Sequence, residues 1–338
     1  MSDLDESRLG AWLAAHVAGF EGLTSVGKFA GGQSNPTYRI DAASGAYVLR
    51  RKPFGPLLPS AHAVEREYRL IAALHPTGFP VPRAYGLCED AEVIGAPFYI
   101  MEMVEGRTLW DGSLPNMAPA ERTAHYDQIT DTLAALHKVD FEVAGLGDYG
   151  KPGNYFERQV GRWSKQYRMS QTEEMPQIER LIEWLPRTVP EQTRTSIVHG
   201  DFRIDNMIFD AAAPRILAVL DWELSTLGDP LADFSYYLMS WVIEPEGNSS
   251  VMGITGASGI PPVEAVVERY CAATGRAGVP DLNWYFAYNF FRLAGIVQGV
   301  KKRMIDGNAS SAEAEKTVAR LPKLVEAAWD FARQAGAA

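Results

Sequence analysis

The sequence predicts an α+β protein of two lobes, a sheet-based first part and a mainly helical remainder. Three observations carry this. Strand-like runs punctuated by Gly and Pro crowd the region before about residue 105, and helical periodicities dominate beyond Pro115. One β island, "TSIVHGDFRIDNMIFDAAAPRILAVLDWE", interrupts those helices. With 338 residues, 46% of them hydrophobic, the chain has enough apolar material for one large domain or for two lobes with their own cores.

The elements follow in order. The first 20 or so residues read as a helix with Leu9, Trp12, Leu13 and Val17 on one face. "SVGKFAGGQSNPTYRID" and "AYVLRRKP" read as strands, with Gly31 and Gly32 in the turn between the first two. "SAHAVEREYRLIAALH" is a helix on which Val64, Tyr68, Ile71 and Leu74 recur at helical spacing. Strands around "RAYGLCED" and "PFYIMEMVEG" complete the first lobe, and a hinge near Glu102 to Gly106 divides the chain into residues 1–105 and 106–338. "ERTAHYDQITDTLAALHKVD" opens the second lobe with Tyr126, Ile129, Leu133 and Leu136 on one side. A cleft between lobes is a common place for a small-molecule site.

Composition excludes several classes. The net charge is -10, from 32 basic and 42 acidic residues, with no basic stripe of the kind a nucleic-acid binder carries. Cys88 and Cys271 stand far apart, which argues against a disulfide framework and a zinc site. The six histidines show no HExxH spacing. The N-terminus is polar and acidic rather than a signal peptide, and no apolar stretch approaches the roughly 20 residues of a membrane span. A soluble, cytoplasmic protein with no nucleic-acid or membrane partner is expected.

The β island is the densest polar cluster in the chain. Read as a hairpin, Met207 to Phe209 pair with residues around Ile216 to Val219, and Asn206 comes opposite Asp221 at the open end. An amide oxygen beside a carboxylate suits a hard cation such as Mg2+, which takes one or two carboxylates and fills its shell with phosphates and water. Asp201, on the loop leading in, is a candidate general base or orienter of an attacking hydroxyl. Arg203 adds fixed positive charge, as a transferring phosphoryl group requires. Singly, each has a plain reading as a turn former or cap. The conjunction of HxD, a cation at +2, Asn at +5 and a hairpin ending in Asp is what points to phosphoryl transfer.

"HGDFRIDN" and "LDWE" resemble the catalytic segment of the aminoglycoside phosphotransferase and choline kinase family, relatives of the protein kinases. The resemblance covers about Gly27 to Trp241. It implies a protein-kinase-like fold, with an antiparallel-sheet N-lobe carrying one main helix and a mainly helical C-lobe. It implies ATP and Mg2+ as cofactors, Asp201 as catalytic base, and Asn206 and Asp221 as metal ligands. "GDPLADF" resembles the segment that follows in this family, with Asp229 and Asp233 structural and one of them a helix cap. "APE" is missing, which disfavours a protein substrate.

Three N-lobe parts are then expected. "AGGQSNPTY" is the loop over the phosphates, through Gly31, Gly32 and the donors Gln33, Ser34 and Asn35. Arg50 stands where the resemblance expects lysine. Its partner is Glu67, which at about 100° per residue falls near the centre of the apolar helix stripe, whereas Glu65 points off it. Lys52 is a reserve cation. Met101 backs the pocket, and the backbone of Glu102 and Met103 would bond the adenine; the plain reading is that these methionines fill core space.

"VLRRKPFGPLLPSAHAVEREYRL" and "CEDAEVIGAPFYIMEMVEG" are similar to a branch that includes kinase-like domains fused to acyl-CoA dehydrogenases in animals. No flavin site is read here, so the dehydrogenase label is not expected to apply to this chain. The acceptor is expected on the helical lobe, around residues 280–303, which are aromatic-rich and carry four basic residues against one acid. That suits an apolar or anionic hydroxyl compound, such as a hydroxy-acyl compound or its CoA thioester, over a polycationic aminoglycoside. The plain reading of those aromatics is core packing. The rival functions are a silent nucleotide- or acyl-binding module, favoured by Arg50, and a metal-dependent hydrolase, which would usually show more His and Asp ligands.

Overall fold

Among the described residues, five antiparallel strands build the first lobe: β1 (Leu23–Lys28), β2 (Thr37–Ala42), β3 (Gly45–Arg51), β4 (Ala84–Cys88) and β5 (Phe98–Glu102), in the order β1-β2-β3-β5-β4. In the computed structural model, residues 4–29, 35–55, 62–244, 250–254, 256–307 and 312–338 are described. Side chains alternate across a strand, and the sheet uses both faces. Tyr38, Ile40, Leu49, Phe98 and Ile100 pack with Leu9 and Leu13 of α1 (Glu6–His16) and with Val17 just after it. The opposite face presents Val48, Arg50, Tyr99 and Met101 to a cavity.

Helix α2 (Val64–Leu74) belongs to a different core. Val64, Leu70, Ile71 and Leu74 join the large apolar cluster that runs through the second lobe. Polar contacts pin the helix there too. Arg66 donates to the Tyr149 carbonyl at 2.9 Å and lies over the Tyr149 ring, and Arg69 donates to the Gly145 carbonyl at 2.9 Å.

The second lobe is mainly helical: α3 (Pro119–Lys138), α4 (Tyr155–Ser170), α5 (Pro176–Trp184), α6 (Leu231–Tyr237), α7 (Val263–Thr274), α8 (Leu282–Ile305), α9 (Ala312–Ala319) and α10 (Leu321–Gln334). α3 starts on a proline, and the Glu121 carboxylate accepts the Ala118 N–H at 2.8 Å, satisfying one donor of the open first turn. Its predicted face, Tyr126, Ile129, Leu133 and Leu136, is buried. In α8, Trp284, Tyr285, Tyr288, Phe290 and Phe291 are buried among neighbouring helices, so the aromatic run is core rather than an acceptor wall.

The β island forms two small sheets. Strands β6 (Arg107–Thr108), β8 (Met207–Phe209) and β9 (Ile216–Val219) pair in the order β6-β8-β9, and β7 (Ser196–Val198) pairs with β10 (Thr226–Gly228). The hairpin register is Met207↔Val219 and Ile208↔Ala218, one residue from the expected one. Asn206 therefore sits opposite Leu220, whose N–H donates to the Asn206 carbonyl at 2.8 Å, and Asp221 is the next residue. A bulge between Ile208 and Phe209, which pairs with Ile216, sets that register, and the Asp210 carboxylate accepts the N–H groups of Ala212 and Ala213 in the turn. Gly106 lets the chain cross β8 at the hinge: a Cβ there would lie 2.3 Å from the Phe209 carbonyl oxygen.

Candidate active site

The loop from His199 to Asn206 is held by its own backbone. His199 is fully buried; its Nε2 lies 2.8 Å from the Leu220 carbonyl, and its Nδ1 accepts the Asp201 N–H at 3.2 Å. One imidazole thereby ties the Asp201 loop to the strand that delivers Asp221. Gly200 has φ 89°, and a Cβ there would meet Leu224 at 2.8 Å, so glycine is required on both counts. The Asn206 amide donates to the Asp201 carbonyl at 2.9 Å and to its carboxylate at 3.2 Å. An amide whose nitrogen is committed to Asp201 turns its oxygen the other way, and Asn206 lines the cavity with Asp221. Asp221 occupies the left-handed region at φ 65°, which Asp tolerates better than most residues.

Asp229 and Asp233 are both structural, in different ways. Asp229 accepts the Leu231 N–H at 2.9 Å at the start of α6, and burial pushes its carboxyl up to about 6. Asp233 accepts the N–H groups of His199 and Gly200 at 2.5 and 2.8 Å. Burial works to raise its pKa. The hydrogen bond and charge of His137, with His199 and the Gly200 N–H, outweigh burial and hold it below the usual carboxylate range.

On the sheet side the expected pair is present. Arg50 Nε lies 2.8 Å from Glu67 Oε2, a charge contact without the angle of a hydrogen bond, and Arg50 Nη2 donates to Asp221 at 2.7 Å. Glu67 is buried and also accepts from Asn35 at 2.8 Å and the Tyr99 hydroxyl at 3.2 Å. Burial dominates, the Arg50 charge opposes it, and the carboxylates of Asp221 and Glu223 add to it, so the Glu67 carboxyl rises to about 7. Glu65 is instead paired with Lys52 at 2.9 Å, which occupies the reserve cation.

Other expectations need correction. Asn35 is fully buried and spends its amide on Glu67 and His62 instead of on phosphates, because the Glu67 carboxylate beneath it lacks enough partners without it. The Glu102 N–H is committed to the Arg83 carbonyl at 2.9 Å, which narrows its expected contact with a base to the carbonyl, and Glu102 lines the cavity. Met103 and Val104 line the cavity beside it. Arg203 is paired with Asp205 through two contacts and faces away from the cavity. Gly31, Gly32, Gln33 and Ser34 lie outside the described residues. Tyr99, Tyr236 and Arg292 support this site in ways the sequence reading does not foresee. No spacing rule links them to the motif, and only Tyr99 carried a signal, two residues before Met101 on the same strand face.

The cavity between sheet and helices measures about 440 Å3. Val48, Ile71, Met101, Ile208 and Val219 make its walls apolar, while Arg50, Glu67, Asn206 and Asp221 make one end polar. A second slot of about 160 Å3 opens beside the Asp201 loop, where Arg203, Tyr236 and Ser240 meet the aliphatic side chains of Leu293, Ile296, Val297 and Leu324.

Residues 25–282 match the profile of the phosphotransferase enzyme family, a span that contains both halves of this cavity. The chain belongs to that family. A solved structure from Ralstonia eutropha, described provisionally as an aminoglycoside phosphotransferase, is 49% identical with a TM-score of 0.91, covering 98% of this chain and 99% of that one. A macrolide 2'-phosphotransferase from Brachybacterium faecium, 20% identical with a TM-score of 0.60 over 94% of this chain and 97% of that one, shares the fold. The phosphotransferase chain thus has the kinase-like arrangement of an antiparallel-sheet N-lobe and a helical C-lobe. Among curated proteins, mouse acyl-CoA dehydrogenase family member 10 is 45% identical over 96% of this chain and 31% of its own length. Chicken family member 11 is 41% identical over 98% and 44%. The phosphotransferase chain therefore spans less than half the length of these relatives. Among the described residues no helix is long and apolar enough to cross a membrane.

Proposed function

We propose that this phosphotransferase moves the terminal phosphoryl group of ATP, with Mg2+, onto the hydroxyl of an amphiphilic small molecule of the hydroxy-acyl class, free or as a CoA thioester. The supporting observation is the junction of the cavity's polar end with the Asp201 loop: Asn206 bonds Asp201 on one side and shares the cavity with Asp221 and Arg50 on the other.

The donor set fits a divalent cation. Asn206 and Asp221 offer one amide and one carboxylate oxygen, and Mg2+ bound there would neutralise charge on the phosphates. Arg50, steadied by Glu67, would bind phosphate oxygens, and Met103 and Val104 would meet the base at the hinge. Asp201 accepts the acceptor's proton as its oxygen bonds to phosphorus and the bond to the departing ADP breaks. Arg203, paired with Asp205, is assigned to the acceptor side rather than to the triphosphate.

The acceptor class rests on the second slot, whose aliphatic wall suits an acyl chain and has no use for a polycation. An aminoglycoside phosphotransferase of the same fold was crystallised with ADP and hygromycin B, and relatives of this chain carry acyl-CoA dehydrogenase names. The first supports a nucleotide, the second an acyl acceptor. A cytoplasmic location, where ATP is abundant, belongs to the same proposal. One observation favours the silent binding module: Arg50 already occupies an oxygen of Asp221.

The test is ADP release from ATP and MgCl2 across a panel of hydroxy acids, their CoA thioesters and aminoglycosides. Asp201→Asn is expected to lose about 1,000-fold in turnover while keeping the thermal shift that ATP and Mg2+ induce. Nucleotide binding with no turnover on any acceptor would favour the binding module.

A further inference from the structure

Arg292 lies outside the catalytic motifs, within the aromatic stretch 280–303, yet it touches the loop that carries Asp201. From α8 its Nη2 donates to the Gly200 carbonyl at 2.8 Å. Its guanidinium carbon is 5.0 Å from the Tyr236 ring centre and 6.0 Å from that of Trp163. The Tyr236 hydroxyl faces the Asp201 carboxylate; desolvation first, and the Asp201 charge next, push that phenol up to about 12. Desolvation also opposes the Arg292 charge, but Tyr288, Tyr236, Tyr155 and the Asp201 carboxylate outweigh it, so the guanidinium stays protonated.

Residue 200 is therefore gripped from both sides, its N–H by Asp233 and its carbonyl by Arg292, both at 2.8 Å. It has no side chain of its own with which to anchor, and Asp201 comes next in the chain. We infer that Arg292 is a positioning residue for phosphoryl transfer: it fixes the Gly200–Asp201 peptide and props Tyr236, which steers the Asp201 carboxylate toward the acceptor slot. The next residues of α8, Leu293, Ile296 and Val297, form a wall of that slot, so one helix shapes the acceptor site and orients the base. A planar guanidinium can donate in its plane while resting on an aromatic face, which an ammonium cannot do as well.

The effect on turnover rests on the phosphotransfer reading; the effect on loop order does not. The experiment therefore has two arms, run on Arg292→Met, Arg292→Lys and Tyr236→Phe in the full 338-residue chain. In the first arm, ADP release is measured with MgATP and the hydroxy-acid and CoA-thioester panel. Arg292→Met is expected to lower kcat about 100-fold with KM for ATP within about twofold of wild type, the scale expected when a reacting group is misplaced by about 1 Å. Arg292→Lys recovers part of the loss, and Tyr236→Phe loses about tenfold. In the second arm, amide hydrogen exchange is followed on peptides spanning 197–206 without nucleotide. Arg292→Met is expected to accelerate it about tenfold with no change at the hinge, and Tyr236→Phe to leave it unchanged.

Unchanged kcat and unchanged exchange in Arg292→Met would overturn the inference, as would a Lys variant no better than Met in both arms. If the Met variant does not fold, Arg292→Gln replaces it in both arms on the same criteria. If wild type turns over no acceptor, the phosphotransfer reading fails, and the exchange arm still decides whether Arg292 orders the loop.

Discussion

Glu67 and Asp233 are buried carboxylates at 2% and 1% exposure, and each steadies one half of the candidate site. Their electrostatics run in opposite directions. Glu67 is raised to about 7, because burial dominates and its cation, Arg50, is shared with Asp221 and Glu223. Asp233 is lowered although its burial is as deep, because His137 and two backbone N–H groups point at it. The difference lies in what solvates the charge. Backbone donors fixed by the fold are committed to one acceptor, while a guanidinium bridging three carboxylates is divided among them. Asp233 is thus a permanent anchor for the loop, and Glu67 a support whose charge depends on conditions.

The sharpest way to break this contrast is Asp233→Asn. An amide nitrogen would face one of the two loop N–H groups, and the expected cost is about 3–5 kcal/mol, read as a lower urea midpoint. Near-wild-type stability would show that the loop holds itself.

Next in size is Arg50. Arg50→Met is expected to remove the thermal shift from ATP and Mg2+ and to lower turnover about 100-fold, whereas Arg50→Lys should stay within about tenfold of wild type, since a point charge keeps phosphate contact but loses the bridge to Asp221. A Lys variant faster than wild type would recast Arg50 as a brake, as the binding-module reading requires.

The smallest effect is the pH dependence of Glu67. Its folded pKa, about 7, lies above the ordinary 4.5, so the folded state holds a proton that the unfolded state has released. Stability from this group is full below about 4.5 and falls as pH rises toward 7. Comparing urea unfolding of wild type and Glu67→Gln at pH 5 and pH 8 should show wild type losing about 2 kcal/mol relative to the variant. A constant difference would mean that Arg50 keeps Glu67 ionised throughout.

Much of this was legible because local chemistry and spacing carried it. The stripe of Val64, Tyr68, Ile71 and Leu74 placed Glu67 on the buried face, and the structure pairs it with Arg50 at 2.8 Å. The hairpin was readable from two short apolar runs about a turn, though its register was off by one, since the bulge between Ile208 and Phe209 is backbone geometry that spacing does not encode. Asn35 was misread because an amide in a Gly-rich loop looks like a phosphate donor until the burial of Glu67 beneath it is known. The aromatics of α8 support the plain reading of core packing, and within the same stretch, 280–303, the aliphatic Leu293, Ile296 and Val297 line the slot.

The sequence by itself determined the α+β division, the polar hairpin and the chemical kinds of residue at the site, because each depends on side-chain periodicity or on neighbours within a few residues. Only the tertiary structure decided that Arg292 grips a loop 92 residues away, that Asn35 serves Glu67, and that two equally buried acids differ in charge. Those outcomes depend on which donors converge from distant segments and on how far water is excluded, and neither is written in any local pattern.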